Sequence, residues 1–145
     1  MPRTTTPRLH LSPFYHAEDG EALALCIHAD SGTFSGYTEV EVVAHDMREI
    51  GERLRDFPSA GLLSEVLWEL RGWLSPTSSR LRFHIRDGAG HAAIEAILSG
   101  GTEPVESATI FIPTEVAAIN RIGERLIAWS AGKELEDDFD LPPNT

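Results

Sequence analysis

Five polar residues fall within one short stretch of the chain: Arg82, His84, Arg86, His91 and Glu95. Leu81, Phe83 and Ile85 alternate with Arg80, Arg82, His84 and Arg86, which is the period of a strand with one apolar and one wet face. Asp87-Gly88-Ala89-Gly90 then turns the chain into a returning strand that ends near Leu98. A hairpin centred on that turn sets Arg82 opposite Glu95 and Phe83 opposite Ile94, a charge pair on one face and an apolar pair on the other. Arginine can hold both oxygens of a carboxylate or phosphate with parallel hydrogen bonds. The five residues therefore form a candidate face for a small anion or a partner's acidic group. The same cations can instead pair internally with Glu39 and Glu41.

Other spacings point to chemistry less directly. Gly88-Ala89-Gly90-His91-Ala92-Ala93 has the form of the dinucleotide-binding Gly-x-Gly-x-x-Ala, but a true site needs a buried parallel strand before it and a long helix after it. Here the preceding strand is charged at every second position, which suits a hairpin turn. Cys26 and His28 lie two apart on one strand face, the geometry of a thiolate and its base, although a small buried cysteine beside a surface histidine fits as well. The six histidines fall in no metal-ligand spacing, and no serine sits in a Gly-x-Ser-x-Gly elbow. The expectation is no catalytic residue, no metal and no cofactor.

The elements that must position the charged face come next. At 145 residues and 41% apolar content the chain has the size of one domain. The sequence reads as a loose arm over 1–8, a domain over 9–131 and an acidic tail over 132–145. In the first part of the domain, Leu9 and Leu11, then Leu23 to Ile27, then Val40 and Val42 mark three strands. Asp46 and Glu49 supply a capping-box pattern for a helix from about Asp46 to Phe57, which Pro58 ends. The stretch 60–73 fits both periods: Leu62, Leu63, Val66, Leu67, Leu70 and Trp73 favour a helix, while Val66, Trp68 and Leu70 alternate as in a strand. The helix is preferred here, with Arg71 and Gly72 closing it. Beyond the loop at Ser75 to Ser79 come the charged hairpin, a third strand through Ala108, Ile110 and Ile112, and a helix capped by Thr114 that turns Val116, Ile119, Ile122, Leu126 and Trp129 inward.

Ile50-Gly51-Glu52-Arg53-Leu54 recurs as Ile122-Gly123-Glu124-Arg125-Leu126, 72 positions on. With that offset Met47 matches Ile119 and Phe57 matches Trp129. The pattern predicts an α+β fold whose antiparallel sheet is built from two βββα repeats, over 9–57 and 80–131, with an additional helix at the junction. A glycine inside a helix costs about 1 kcal/mol relative to alanine, so the matched pair Gly51 and Gly123 predicts close packing of backbones.

A formal net charge of -11 is the opposite of what neutralising phosphates requires, so nucleic acid and anionic membranes are excluded as expected ligands. The tail accounts for part of it, and without those five acids and one lysine about -7 remains. Its Leu135, Phe139 and Leu141 among acids have the composition of a disordered segment or of one that docks on a basic, apolar groove. One cysteine, no signal-like opening and no long apolar run predict a cytoplasmic protein.

From Leu67 through Trp129 the chain resembles small uncharacterised bacterial α+β domains similar to immunity proteins of toxin systems. The likeness rests on Leu70-Arg71-Gly72-Trp73 closing a helix, on Asp87 through Gly90-His91 turning into a strand, and on the last strand-to-helix passage ending in Trp129. It implies an α+β fold without established catalytic residues, and so favours a protein that acts by association. The expected function is non-enzymatic binding of a basic protein partner, or self-association. The alternative is a small-molecule anion binder or enzyme using the Arg82, His84, Arg86 and His91 face.

Overall fold

The computed structural model describes residues 6–59, 65–101, 104–132 and 138–141. In chain order the elements are β1 (Arg8–His16), β2 (Ala22–Asp30), β3 (Ser35–Val43), α1 (Ala44–Arg55), β4 (Glu65–Gly72), β5 (Ser78–Ile85), β6 (His91–Gly100), β7 (Glu106–Glu115), α2 (Val116–Ser130) and β8 (Phe139–Leu141). All eight strands join one antiparallel sheet in the order β7-β6-β5-β4-β3-β2-β1-β8. The sheet curls on itself: β3 touches β6 and β7, and β2 touches β7, across a shared interior. The two helices pack on each other, α1 also meeting β3 and β4, and α2 meeting β7 and β8.

The α+β class and the antiparallel sheet match the sequence reading, but the junction between the halves is a strand. The additional helix expected over 60–73 is replaced by β4, and residues 60–64 lie outside the described residues. Val66, Trp68, Leu70 and Gly72 are buried while Glu65, Glu69 and Arg71 are exposed, a strict period of two. β4 lies between β3 and β5, pairing with β5 from Glu65 to Arg71 and with β3 at Arg71 and Gly72, so it joins the two halves into one sheet, which a helix there could not do. Gly72 does not terminate a helix. It sits where a Cβ would fall 2.4 Å from the Thr77 hydroxyl.

Both helices also start differently from the expected caps. α1 begins at Ala44, leaving Asp46 in its first turn, and α2 begins at Val116, leaving Thr114 in β7. Neither N-cap side chain makes a capping hydrogen bond. A hairpin-turn carbonyl serves each helix instead: Ala44 N–H donates to Glu21 O (2.6 Å) and Val116 N–H to Gly90 O (3.0 Å). A second matched pair joins Ala17 N–H to Ala22 O and Arg86 N–H to His91 O, both at 2.9 Å. These bonds place Arg86 where the first half has Ala17, His91 where it has Ala22, and, through the helix register, Arg121 where it has Glu49.

Leu9, Leu11, Leu25, Ile27, Phe83 and Ile94 point into the interior with Met47 and Leu54 of α1 and Ile119, Ile122, Leu126 and Trp129 of α2. Each large side chain removed from water contributes about 1.5–3 kcal/mol. Gly51 and Gly123 meet where the helices touch. A Cβ on Gly51 would lie 2.9 Å from Gly123 O, and one on Gly123 would lie 2.5 Å from Gly51 O, so the predicted close packing of backbones is present.

Residues 1–5 of the expected arm lie outside the described residues, and β1 already includes Arg8. Within the stretch read as an acidic tail, Phe139–Leu141 forms β8 against β1, burying Phe139 and Leu141. Ion pairs hold it. Asp140 accepts from Arg8 (2.5 Å) and meets His10 Nδ1 at 2.5 Å, while Asp138 accepts from Ser12 (2.8 Å) and lies 3.2 Å from His10 Nε2. Burial alone would raise the Asp140 pKa, but the hydrogen bonds from His10 and Arg8 outweigh it and hold the carboxyl below its ordinary value near 3.8. A carboxyl depressed in the folded state favours docking above its unfolded pKa, and that contribution is lost as pH falls through the lower folded value. Acidification from about pH 4 downward is expected to release β8 before the rest of the sheet. Hydrogen exchange at the Phe139–Leu141 amides checks this, and Asp140→Asn should loosen the same amides at neutral pH. Unchanged protection in both would contradict the assignment.

Candidate functional site

The charged hairpin forms in the register that the alternation predicts, with Arg82 opposite Glu95 and Phe83 opposite Ile94. Arg82 is not free to receive a ligand. Its Nε donates to Glu65 Oε2 at 2.7 Å, and Arg80 lies 3.8 Å from Glu69 on the same face. The internal partners are thus carboxylates of β4 and not Glu39 or Glu41. Sequence reasoning missed Glu65 and Glu69 because it placed that segment in a helix, although their spacing of four in a period-two stretch was the available signal.

His84 is partly buried. Its Nε2 has no hydrogen-bond partner among the described residues, and its ring meets the Phe111 edge at 6.2 Å. Burial lowers its pKa first, and Arg82 adds to this; Glu65 and Glu95 oppose it, with Arg86 lowering it further. The imidazole is therefore neutral near pH 7. Arg86 stands beyond the end of β5 with its guanidinium 5.8 Å from the Phe111 ring centre. His91 Nδ1 meets Asp87 Oδ2 at 2.6 Å, and that bond, with the Ala89 N–H, lowers the Asp87 pKa. Arg82, His84 and Glu95 thus share a sheet surface in which Arg82 is already paired. Arg86 and His91 stand at its end, beside a cleft of about 460 Å³ that Arg121 also lines.

Gly88-Ala89-Gly90 is the hairpin turn itself, with Gly90 in the left-handed region (φ 89°), and the strand β6 follows it in place of the helix a dinucleotide site needs. Cys26 and His28 share the outward face of β2, but among the described residues the thiol's hydrogen-bonding neighbours are Tyr37 and Glu39. Cys26 Sγ is 3.2 Å from Tyr37 Oη, which in turn donates to Glu39 Oε2 at 3.2 Å. The bond with Cys26, followed by burial, raises the Tyr37 pKa, so the phenol stays protonated. Among the described residues no group of three His, Cys, Asp or Glu could hold a metal ion, and no helix is long and apolar enough to cross a membrane.

A second surface was not singled out by sequence reasoning. On the outward side of the first half, Phe14 meets Trp73 edge to face at 5.8 Å and Tyr15 meets it tilted at 4.9 Å. Trp73 N–H donates to Glu39 O, extending the β3–β4 pairing and fixing the indole on this side. Ala24, the cross-strand partner of Tyr15, is fully buried. The aromatics themselves stay accessible, with Phe14 43%, Tyr15 46% and the adjoining Leu74 82% exposed. Tyr37, Glu39 and Glu41 alternate along β3 on the same outward face. A helix over 60–73 puts Trp73 on the same apolar stripe as Val66 and Leu70, whereas the strand sets it on the opposite face; the neighbouring aromatics Phe14-Tyr15 ahead of a turn are the sequence signal. No family model, no curated protein and no solved structure matches the chain.

Proposed function

We propose that this chain is a non-enzymatic binding protein that docks a basic protein partner on the outward aromatic patch of its first half. The observation that carries this reading is the cluster of exposed Phe14 and Tyr15 around half-buried Trp73 on the face that also bears Glu39 and Glu41. Aromatic side chains bring large, rigid contact area to interfaces and are enriched there, while a monomeric surface gains nothing by keeping three of them together in water. The carboxylates and the net charge of -11 favour a cationic partner and speed its approach. The resemblance to immunity proteins makes a basic toxin the natural candidate and the cytoplasm the compartment. Duplication of a five-element unit, three strands, a helix and a strand, accounts for the repeated pentapeptide and the matched hydrogen bonds, and leaves one copy free to acquire the patch.

The test is capture from an extract of the source organism, comparing the native chain with Trp73→Ala and with the double variant Glu39→Gln/Glu41→Gln. A central interface tryptophan is worth about 2 kcal/mol or more, so Trp73→Ala should weaken the captured complex about 30-fold. The double variant should chiefly slow association and flatten its salt dependence. A partner held equally well by the native and Trp73→Ala chains would remove the patch from the interface.

A further inference from the structure

A cleft lies beside Arg86 and His91, lined by none of the residues of the aromatic patch. It lies between the two free ends of the curled sheet, β7 contributing Ile112 and Pro113 and β8 contributing Leu141, with Pro7 and Ala118 completing an apolar floor. Arg86 and Arg121 both line it. Among the described residues neither arginine has a carboxylate partner. Glu115 is the one acid among the described residues of the lining; Asp87, outside the lining, holds His91. By this count the cleft carries one net positive charge on a strongly acidic protein. A volume of about 460 Å³ is within the range of small-molecule sites.

The corresponding place in the first half is built differently. There the seam between β3 and β4 is closed by pairing of Val40 with Gly72 and of Glu41 with Arg71. Pro113 stands where that half has Glu41, and a proline brings no N–H to a ladder; among the described residues no pairing joins β7 to β8. At the matched positions the cations are absent as well: Ala17 for Arg86, Ala22 for His91 and Glu49 for Arg121. Neither the opening nor its charge is therefore a general consequence of the fold.

We infer that this cleft binds a small organic acid, its apolar body against Ile112, Ala118 and Leu141 and its carboxylate between the guanidinium groups of Arg86 and Arg121. Arginine pairs with a carboxylate through two parallel N–H donors, and the apolar floor discriminates against fully hydrated inorganic anions. Benzoate is the probe, titrated into the full chain and followed by amide chemical shifts, with benzamide as its uncharged counterpart and inorganic phosphate as the anion without an apolar body. Benzoate should give saturable shifts at Ile112, Ala118 and Leu141, and benzamide should bind at least tenfold more weakly, because it lacks the charge that the arginines recognise.

Arg86→Gln and Arg121→Gln are both exposed replacements, and each should weaken benzoate at least tenfold, while Arg82→Gln leaves it unchanged. Unaltered shifts of β3 amides confirm that the variants remain folded. Equal binding of benzamide would mean an apolar crevice only, and binding of phosphate in preference to benzoate would mean an anion site without an apolar pocket. Either result, or the absence of saturable shifts, overturns the inference.

Discussion

Gly123→Ala is expected to destabilise the protein by about 3 kcal/mol, lowering its melting temperature by about 10 °C. The added methyl would lie 2.3 Å from Arg55 N, 2.5 Å from Gly51 O and 2.8 Å from Leu54 C. All three are backbone atoms, so no side chain can swing aside and the helices must separate. Separation loosens Ile122 and Leu126, which are fully buried on the same helix. The better helix propensity of alanine returns only about 1 kcal/mol. Gly51→Ala should cost less, because one of its closest neighbours is the Ile127 side chain, which can adjust. Glu124→Ala, next to Gly123 but exposed, should stay within about 0.5 kcal/mol of the native chain. Urea unfolding of the three variants measures the order. A Gly123→Ala chain as stable as the native one would show that the helix backbones do not approach so closely.

The tryptophans should separate stability from association. Trp129 is fully buried, and Trp129→Ala should cost about 3–5 kcal/mol by opening a cavity under the helix pair. Trp73 is half-buried against Phe14 and Tyr15 and lies outside the interior, so its replacement should cost about 1 kcal/mol of stability while weakening the proposed complex about 30-fold. Equilibrium denaturation gives both stability costs. If Trp73→Ala proved as damaging as Trp129→Ala, the aromatic cluster would be part of the core and not a docking surface.

Legibility in the sequence followed the range of the interaction. The Arg82–Glu95 and Phe83–Ile94 register was readable because a short turn joins the strands, so alternation and charge fix it locally. The glycine contact was readable because the same pentapeptide occurs twice. β4 was not: Val66 and Leu70 satisfy either period, and the choice is made by the vacancy between β3 and β5, which only the assembled sheet presents. That misplacement hid Glu65, the partner of Arg82, and grouped Trp73 with Val66 and Leu70, which the strand buries on the other face. The helix starts were hidden likewise, because carbonyls of remote hairpin turns replace side-chain caps. Of the five candidate residues, Arg86 and His91 border the cleft, while Arg121, brought there by the fold, carried no signal in the sequence around it.

The bonds from Arg8 and His10 to Asp140 join residues 132 and 130 positions apart. During synthesis β1 must therefore wait for nearly the whole domain to emerge before its outer border is covered. Until then a row of unsatisfied backbone groups flanked by Leu9 and Leu11 faces the crowded interior of the cell, the kind of border on which nascent chains of the same species join one another. A chain stopped before Phe139 should accordingly show its defect as inclusion bodies during expression rather than as a lower melting point of the soluble fraction.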